Sequence, residues 1–227
     1  MLSLEEHDLY DVNFMFPVRE LDTEKLKLTP FIPRLHSESF YSGIAPHPEM
    51  FTYFPFPLFP TIVDFDNWVE TRVRRDSGAI LFAMIDKTAQ SHAVAGIIGL
   101  IDTSSFAQST EIGCLFTLPP FQRTHVTSTA VALLLSWCFE ELRLRRVQWR
   151  CAHNNIASRR SAERFGFKKE VLNRWLKVAA PGKEEGEETR AGDPMPTSRG
   201  MHVLVLALYW DEWEAGGREY VRNGWGI

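Results

Sequence analysis

Between Glu111 and Phe167 the chain carries the residues best suited to chemistry. A β-rich run from Glu111 to Leu118 is followed by a polar turn, Pro119 to His125, and then by a helical pattern from Thr127 to Leu142. A strand that ends on a polar turn just before a helix gathers unpaired backbone N–H groups at one spot, and the helix dipole adds positive charge there. The combination is an anion site suited to a pyrophosphate. Gln122, Arg123, Thr124, His125, Val126 and Thr127 make up this candidate site, and the side chains of Arg123, His125, Thr127 and Ser128 are further candidate donors. A second strand, Arg146 to Cys151, leads to a second helix opened by Asn155 and Ser158. That helix closes on Gly166-Phe167, with glycine where a left-handed terminal residue belongs.

The elements that must position these residues follow from periodicity. Leu26 and Leu28 alternate with lysines in a short strand ending at Pro30, and Pro33 to Ser42 reads as a short helix. Asp64 is placed as the cap of a helix whose Phe65, Trp68, Val69 and Val73 share a face. Strands over Ala79 to Ile85 and Ala93 to Ile101, joined by a polar turn at Asp86 to Ser91, precede the strand Ser109 to Leu118 as an antiparallel meander. Phe167 to Val178 and Met201 to Tyr209 are the last strands. Pro181 to Gly200 between them, rich in Gly, Glu, Lys and Pro, is expected to be a mobile surface loop. The whole predicts a single α/β domain over residues 24–214, with a central mixed, mostly antiparallel sheet flanked by helices. An N-terminal extension (1–23) packs on it and a tail (215–227) follows.

The bulk numbers narrow the function. A chain of 227 residues holds one large domain with a real core. A net charge of −4 supplies no basic excess to neutralise nucleic-acid phosphates, so nucleic acid is not expected as a partner. No apolar run reaches the roughly 18 residues that span a bilayer, and the acidic N-terminus is unlike a signal or transit peptide. Cys114, Cys138 and Cys151, odd in number and set among apolar residues, read as reduced thiols of a cytoplasmic protein. The histidines show no ligand spacing, so no metal is expected.

Asn155-Ile-Ala-Ser158 followed by Ala162-Glu163-Arg164-Phe165-Gly166-Phe167 resembles the N-x-A-S…A-E-x-x-G-F signature of the GCN5-related N-acetyltransferases. The likeness is greatest to the branch that acetylates ribosomal-protein N-termini. Glu111-Ile-Gly113, Pro120-Phe-Gln122 and Trp210-Asp-Glu-Trp213 fit the same pattern, which covers roughly residues 24 to 214. The chain departs from it at His125 and Thr127, where the family's turn carries small residues, and at Leu206, where relatives often carry a tyrosine. A first helical turn needs only right-handed dihedrals, so its amide donors survive without glycine.

The resemblance implies the acyltransferase fold and acetyl-CoA as cosubstrate. The acceptor would be a primary amine of a small molecule or a peptide N-terminus, and the protein would act as a monomer or homodimer. It implies Glu111 as the base that deprotonates the acceptor and Ser158 as a donor to the departing thiolate. Asn155 either binds the pantetheine amide or caps its helix. Leu115, Phe116 and Thr117 offer main-chain groups to the pantetheine as an added strand would. Phe51, Tyr53, Phe54, Phe56 and Phe59 alternate with prolines in a segment that can be neither helix nor central strand. Phe51, Tyr53, Phe54 and Phe56 are candidates for the acceptor wall, favouring an apolar or aromatic amine; the other reading is a loop glued to the core by its rings. The alternative function is a fold that has lost acyl transfer and binds, or acts otherwise on, an apolar metabolite.

Overall fold

A computed structural model describes residues 10–89 and 93–225. The first nine residues, the end of the turn expected at Asp86 to Ser91, and residues 226–227 lie outside the described residues. Eight strands form one sheet in the order β1-β2-β3-β4-β5-β6-β8-β7. They are β1 (Leu21–Asp22), β2 (Leu26–Pro30), β3 (Ile80–Asp86), β4 (Ala93–Ser104), β5 (Ser109–Thr117), β6 (Arg146–Ala152), β7 (Lys168–Val178) and β8 (Gly200–Tyr209). Among these pairs only β5 and β6 run parallel, as a crossover through a helix requires. The sheet is therefore mixed and mostly antiparallel, as the sequence predicts.

Side chains alternate across the pleat and build a core on each face. On one face Phe82, Ile98 and Leu100 pack under α3 (His125–Ser136), which runs on through a wider helical turn, Trp137–Glu141. Helix α4 (Ile156–Arg164) shares that face. On the other face Leu81, Ile97 and Phe116 meet α1 (Pro33–Ile44) and α2 (Ile62–Val69). The cap of α2 is Thr61 rather than Asp64. Thr61 accepts the Asp64 N–H while the Asp64 carboxylate accepts the Thr61 N–H, so the acid belongs to the third helical position of a capping box.

The flanking segments are packed. Phe14 lies against Trp137 at 6.1 Å, and Met15 N–H donates to the Ser77 carbonyl. After the short α5 (Trp210–Glu212), α6 (Arg218–Trp225) lies on α3 with Val221 buried and Trp225 against Phe165. The segment between β7 and β8, expected to be mobile, is tied down. Ala179 and Ser198 are buried, Glu187 bridges Gly200, and the Lys183 ammonium donates to the carbonyls of Phe51 and Phe54. Composition showed the lack of apolar anchors but not this polar one.

Candidate active site

The parallel pairing of β5 and β6 stops early. Ser109, Thr110 and Glu111 pair with Arg146, Val147 and Gln148, and the register ends there. Beyond it β5 continues to Thr117 paired only with β4, and β6 continues to Ala152 paired only with β8. A V-shaped gap opens in the middle of the sheet. Gly113, Cys114 and Leu115 are only half-buried although they lie in a central strand. Main-chain groups of β5 that would have met β6 face this gap.

Glu111 sits at its apex. Two bulges bracket it: an extra residue in β4 at Asp102 (φ 49°) and one in β5 at Cys114 (φ 50°). Bulges turn side chains out of the regular alternation. The Asp102 carboxylate pairs with Arg150, whose guanidinium also pairs with the buried Glu111 carboxylate. Gln148 donates to the same Glu111 oxygen at 3.0 Å. Burial pushes the Glu111 carboxyl up to about 7; Arg150 opposes that rise and Asp102 adds to it. Desolvation thus outweighs the ion pair, and the group titrates in the range useful to a base. Burial also lifts the Cys114 thiol to about 12, which leaves it protonated and a poor nucleophile.

At the far end of β5 the chain makes one tight turn, Pro119–Phe121, and enters α3 through Thr124. The Thr124 hydroxyl donates to the Phe121 carbonyl at 2.6 Å and accepts the Val126 N–H at 3.3 Å. Left-handed backbone falls on Arg123 (φ 62°), whereas His125 and Thr127 lie in ordinary helix, so glycine is not needed at either. The side chains named as extra donors are mostly spent inside the fold. Thr127 shares a hydrogen bond of 2.7 Å with Thr117, Ser128 donates to the His125 carbonyl, and Gln122 donates to the Thr117 carbonyl. The His125 ring lies 3.4 Å from Asp86. Arg123 is exposed and its guanidinium meets no described residue, so this cation remains beside the first-turn amides.

On the other side of the gap Asn155 caps α4, its side-chain oxygen accepting the Ser158 N–H at 3.0 Å. Its amide NH2 forms no hydrogen bond with a described residue and remains available, so capping does not exclude binding. The Ser158 oxygen accepts the Trp149 indole N–H at 2.9 Å and also meets the Cys151 thiol.

The aromatic segment divides. Phe51 is buried, and Phe54 stacks on Phe116 at 4.2 Å; both act as core. Tyr53 is partly exposed. Phe56 and Phe59 lean on Trp68 and, with Leu58, line a cavity of about 760 Å³. Its other wall is Ile101, Asp102, Cys114, Arg150 and Lys177. Of the four aromatics named from sequence, only Phe56 reaches this cavity. Sequence reasoning missed Asp102, Arg150, Lys177 and Trp68. Gln148 and Arg150, polar residues alternating with Trp149 and Cys151, were the available signal on β6.

The profile of the acetyltransferase (GNAT) domain matches residues 25–168. The chain belongs to the GNAT acetyltransferases. A GCN5-related N-acetyltransferase from Brucella melitensis superposes with a TM-score of 0.73 at 24% identity, covering 89% of this chain and 83% of that one. A probable GNAT acetyltransferase from Chromobacterium violaceum gives 0.74 at 25% identity over 88% and 90%. A spermidine N-acetyltransferase from Vibrio cholerae, in complex with CoA and spermine, gives 0.62 at 15% identity over 85% and 99%. A search of curated protein sequences finds no match. As a GNAT enzyme the protein is an acyl-CoA-dependent N-acetyltransferase with acetyl-CoA as cosubstrate. The open edge of β5, the first turn of α3 and the spare NH2 of Asn155 are donors and acceptors of the kind such a ligand needs. Among the described residues no helix is long and apolar enough to cross a membrane.

Proposed function

We propose that this GNAT enzyme acetylates a primary amine, on a small molecule or a peptide N-terminus, with Glu111 as general base. The position and basicity of Glu111 carry the reading: a buried carboxylate at the apex of the gap, titrating near 7. An alkyl ammonium of ordinary pKa, about 10.4, is neutral in roughly one molecule per thousand at pH 7. A base near 7 takes the proton during attack and contributes about 10²–10⁴-fold. This poised base favours acyl transfer over a fold reduced to binding.

Acetyl-CoA supplies the thioester carbon that the amine attacks. Transfer forms the N–C bond, breaks the C–S bond and passes the amine proton to Glu111. The amides opening α3, with Arg123, hold the pyrophosphate. Leu115 to Thr117 and Asn155 orient the pantetheine arm, and Ser158 has one proton to share between Cys151 and the departing sulfur. Thiol release from acetyl-CoA with a panel of amines tests this. Glu111→Gln should lower kcat by about 10²-fold or more at pH 7, and less at pH 9, where hydroxide replaces the base. An unchanged pH–rate profile removes Glu111 from the mechanism.

A further inference from the structure

The charges of the 760 Å³ cavity are unevenly occupied. Its three carboxylates already have donors. Asp64 accepts from the Thr61 N–H and hydroxyl, Asp76 from the Gly78 N–H, and Asp102 from Arg150. Among its cations Arg150 is divided between Asp102 and Glu111. Lys177 and Arg72 form no hydrogen bond or ion pair with any described residue, although both line the cavity. The charged groups of the lining that still lack a hydrogen-bond partner among the described residues are therefore the two cations, and an anionic group would fill them. A polyamine would bring further positive charge to Lys177 and Arg72.

Position then narrows the chemistry. Lys177 shares its wall of the cavity with Cys114 and with Arg150, the residue paired with Glu111, and its charge reaches the Glu111 carboxyl. An anion held by Lys177 thus lies at the end of the cavity nearer the base, which sits behind Arg150, not at the remote end of a long acceptor. Arg72 stands one helical turn beyond Trp68, on the same face. The apolar part of the wall comes from Phe56, Leu58, Phe59 and Trp68. A base behind Arg150, a cation on the same wall and an apolar wall opposite match an amine, an adjacent carboxylate and an apolar side chain.

We propose that the acceptor is an α-amino acid with an apolar or aromatic side chain, its carboxylate on Lys177, its amine facing Glu111 and its side chain on Phe56, Phe59 and Trp68. The proposal rests on the acetyl-transfer reading and narrows it to free amino acids, since a peptide N-terminus has an amide where the carboxylate would be. The product is the N-acetyl amino acid.

The test compares L-phenylalanine, L-phenylalaninamide and spermidine as acceptors, with acetyl-CoA saturating and CoA thiol release as the readout. The amino acid should exceed the amide at least tenfold in kcat/KM. Lys177→Met should lower kcat/KM for phenylalanine at least tenfold more than for the amide, chiefly through KM, with the melting temperature nearly unchanged; any effect of the lost charge on Glu111 is common to both acceptors and cancels in the ratio. Lys177→Arg should restore much of the loss. Transfer to the amide or to spermidine at equal or better efficiency, or an unchanged preference in Lys177→Met, overturns the amino-acid assignment and leaves acetyl transfer standing. Transfer to none of these or of the wider amine panel overturns both.

Discussion

At the α3 end of the gap the groups that face outward are main-chain amides and the guanidinium of Arg123, whereas at the aromatic end they are side chains, with rings from Phe56, Phe59 and Trp68 and charges from Lys177 and Arg72. The first end is stiffened from within. Thr117, Gln122, Thr124, Thr127 and Ser128 spend their polar atoms on one another or on nearby carbonyls. The second end is a loop seated on Phe116 through Phe51 and Phe54. Backbone recognition tolerates side-chain replacement as long as the dihedrals persist, which is how a GNAT turn can carry histidine and threonine at His125 and Thr127. Side-chain recognition has no such tolerance, so if the aromatic end holds the acceptor, as proposed, acceptor choice is the property easiest to alter by mutation.

That contrast can be broken at several points. The largest effect is at the apex where the two ends meet: besides the loss of rate, Glu111→Gln should abolish the rise of kcat/KM through about pH 7. The sign follows from a base that works only when deprotonated. Next, Phe51→Ala should cost about 3–5 kcal/mol of stability, as truncating a buried phenylalanine does, and lower the melting temperature. Phe56→Ala should instead raise the acceptor KM about tenfold with a much smaller change in melting; equal melting losses would erase the division of the aromatic segment. Thr124→Ala should cost about 1 kcal/mol through the lost cap and weaken acetyl-CoA binding by calorimetry. The smallest effect is His125→Gly, within about threefold in acetyl-CoA affinity if amides carry recognition there. A tenfold change would show that the ring itself binds phosphate.

Much of this was legible in the chain. The meander, the crossover helix and the α4 cap follow from alternation, helical spacing and Asn155, because each is decided within about fifteen residues. The early end of the β5–β6 pairing was not legible, since it depends on how α3 spaces two strands far apart in sequence. Nor was Lys183, whose partners are carbonyls over a hundred residues away. Within the site, Glu111 was found through its neighbours' likeness to a family, while Arg150 and Asp102 meet it only after the sheet forms. The aromatic run was read as one object because composition cannot distinguish rings facing a core from rings facing a groove.

Arg150 is a shared counter-ion, and sharing has a consequence for timing. Asp102 is about half exposed, so water currently supports part of its charge. On the proposed reading an acceptor entering the cavity would cover Asp102 and remove that water, so the charge on Asp102 would lean more on the guanidinium that Glu111 also uses. Occupation of the cavity and basicity of Glu111 would then be linked through one shared cation. Asp102→Asn severs the arrangement: Arg150 would belong to Glu111 alone, and the acid limb of the rate profile should move to lower pH. An acid limb that stays in place would mean that Asp102 has no hold on the basicity of Glu111.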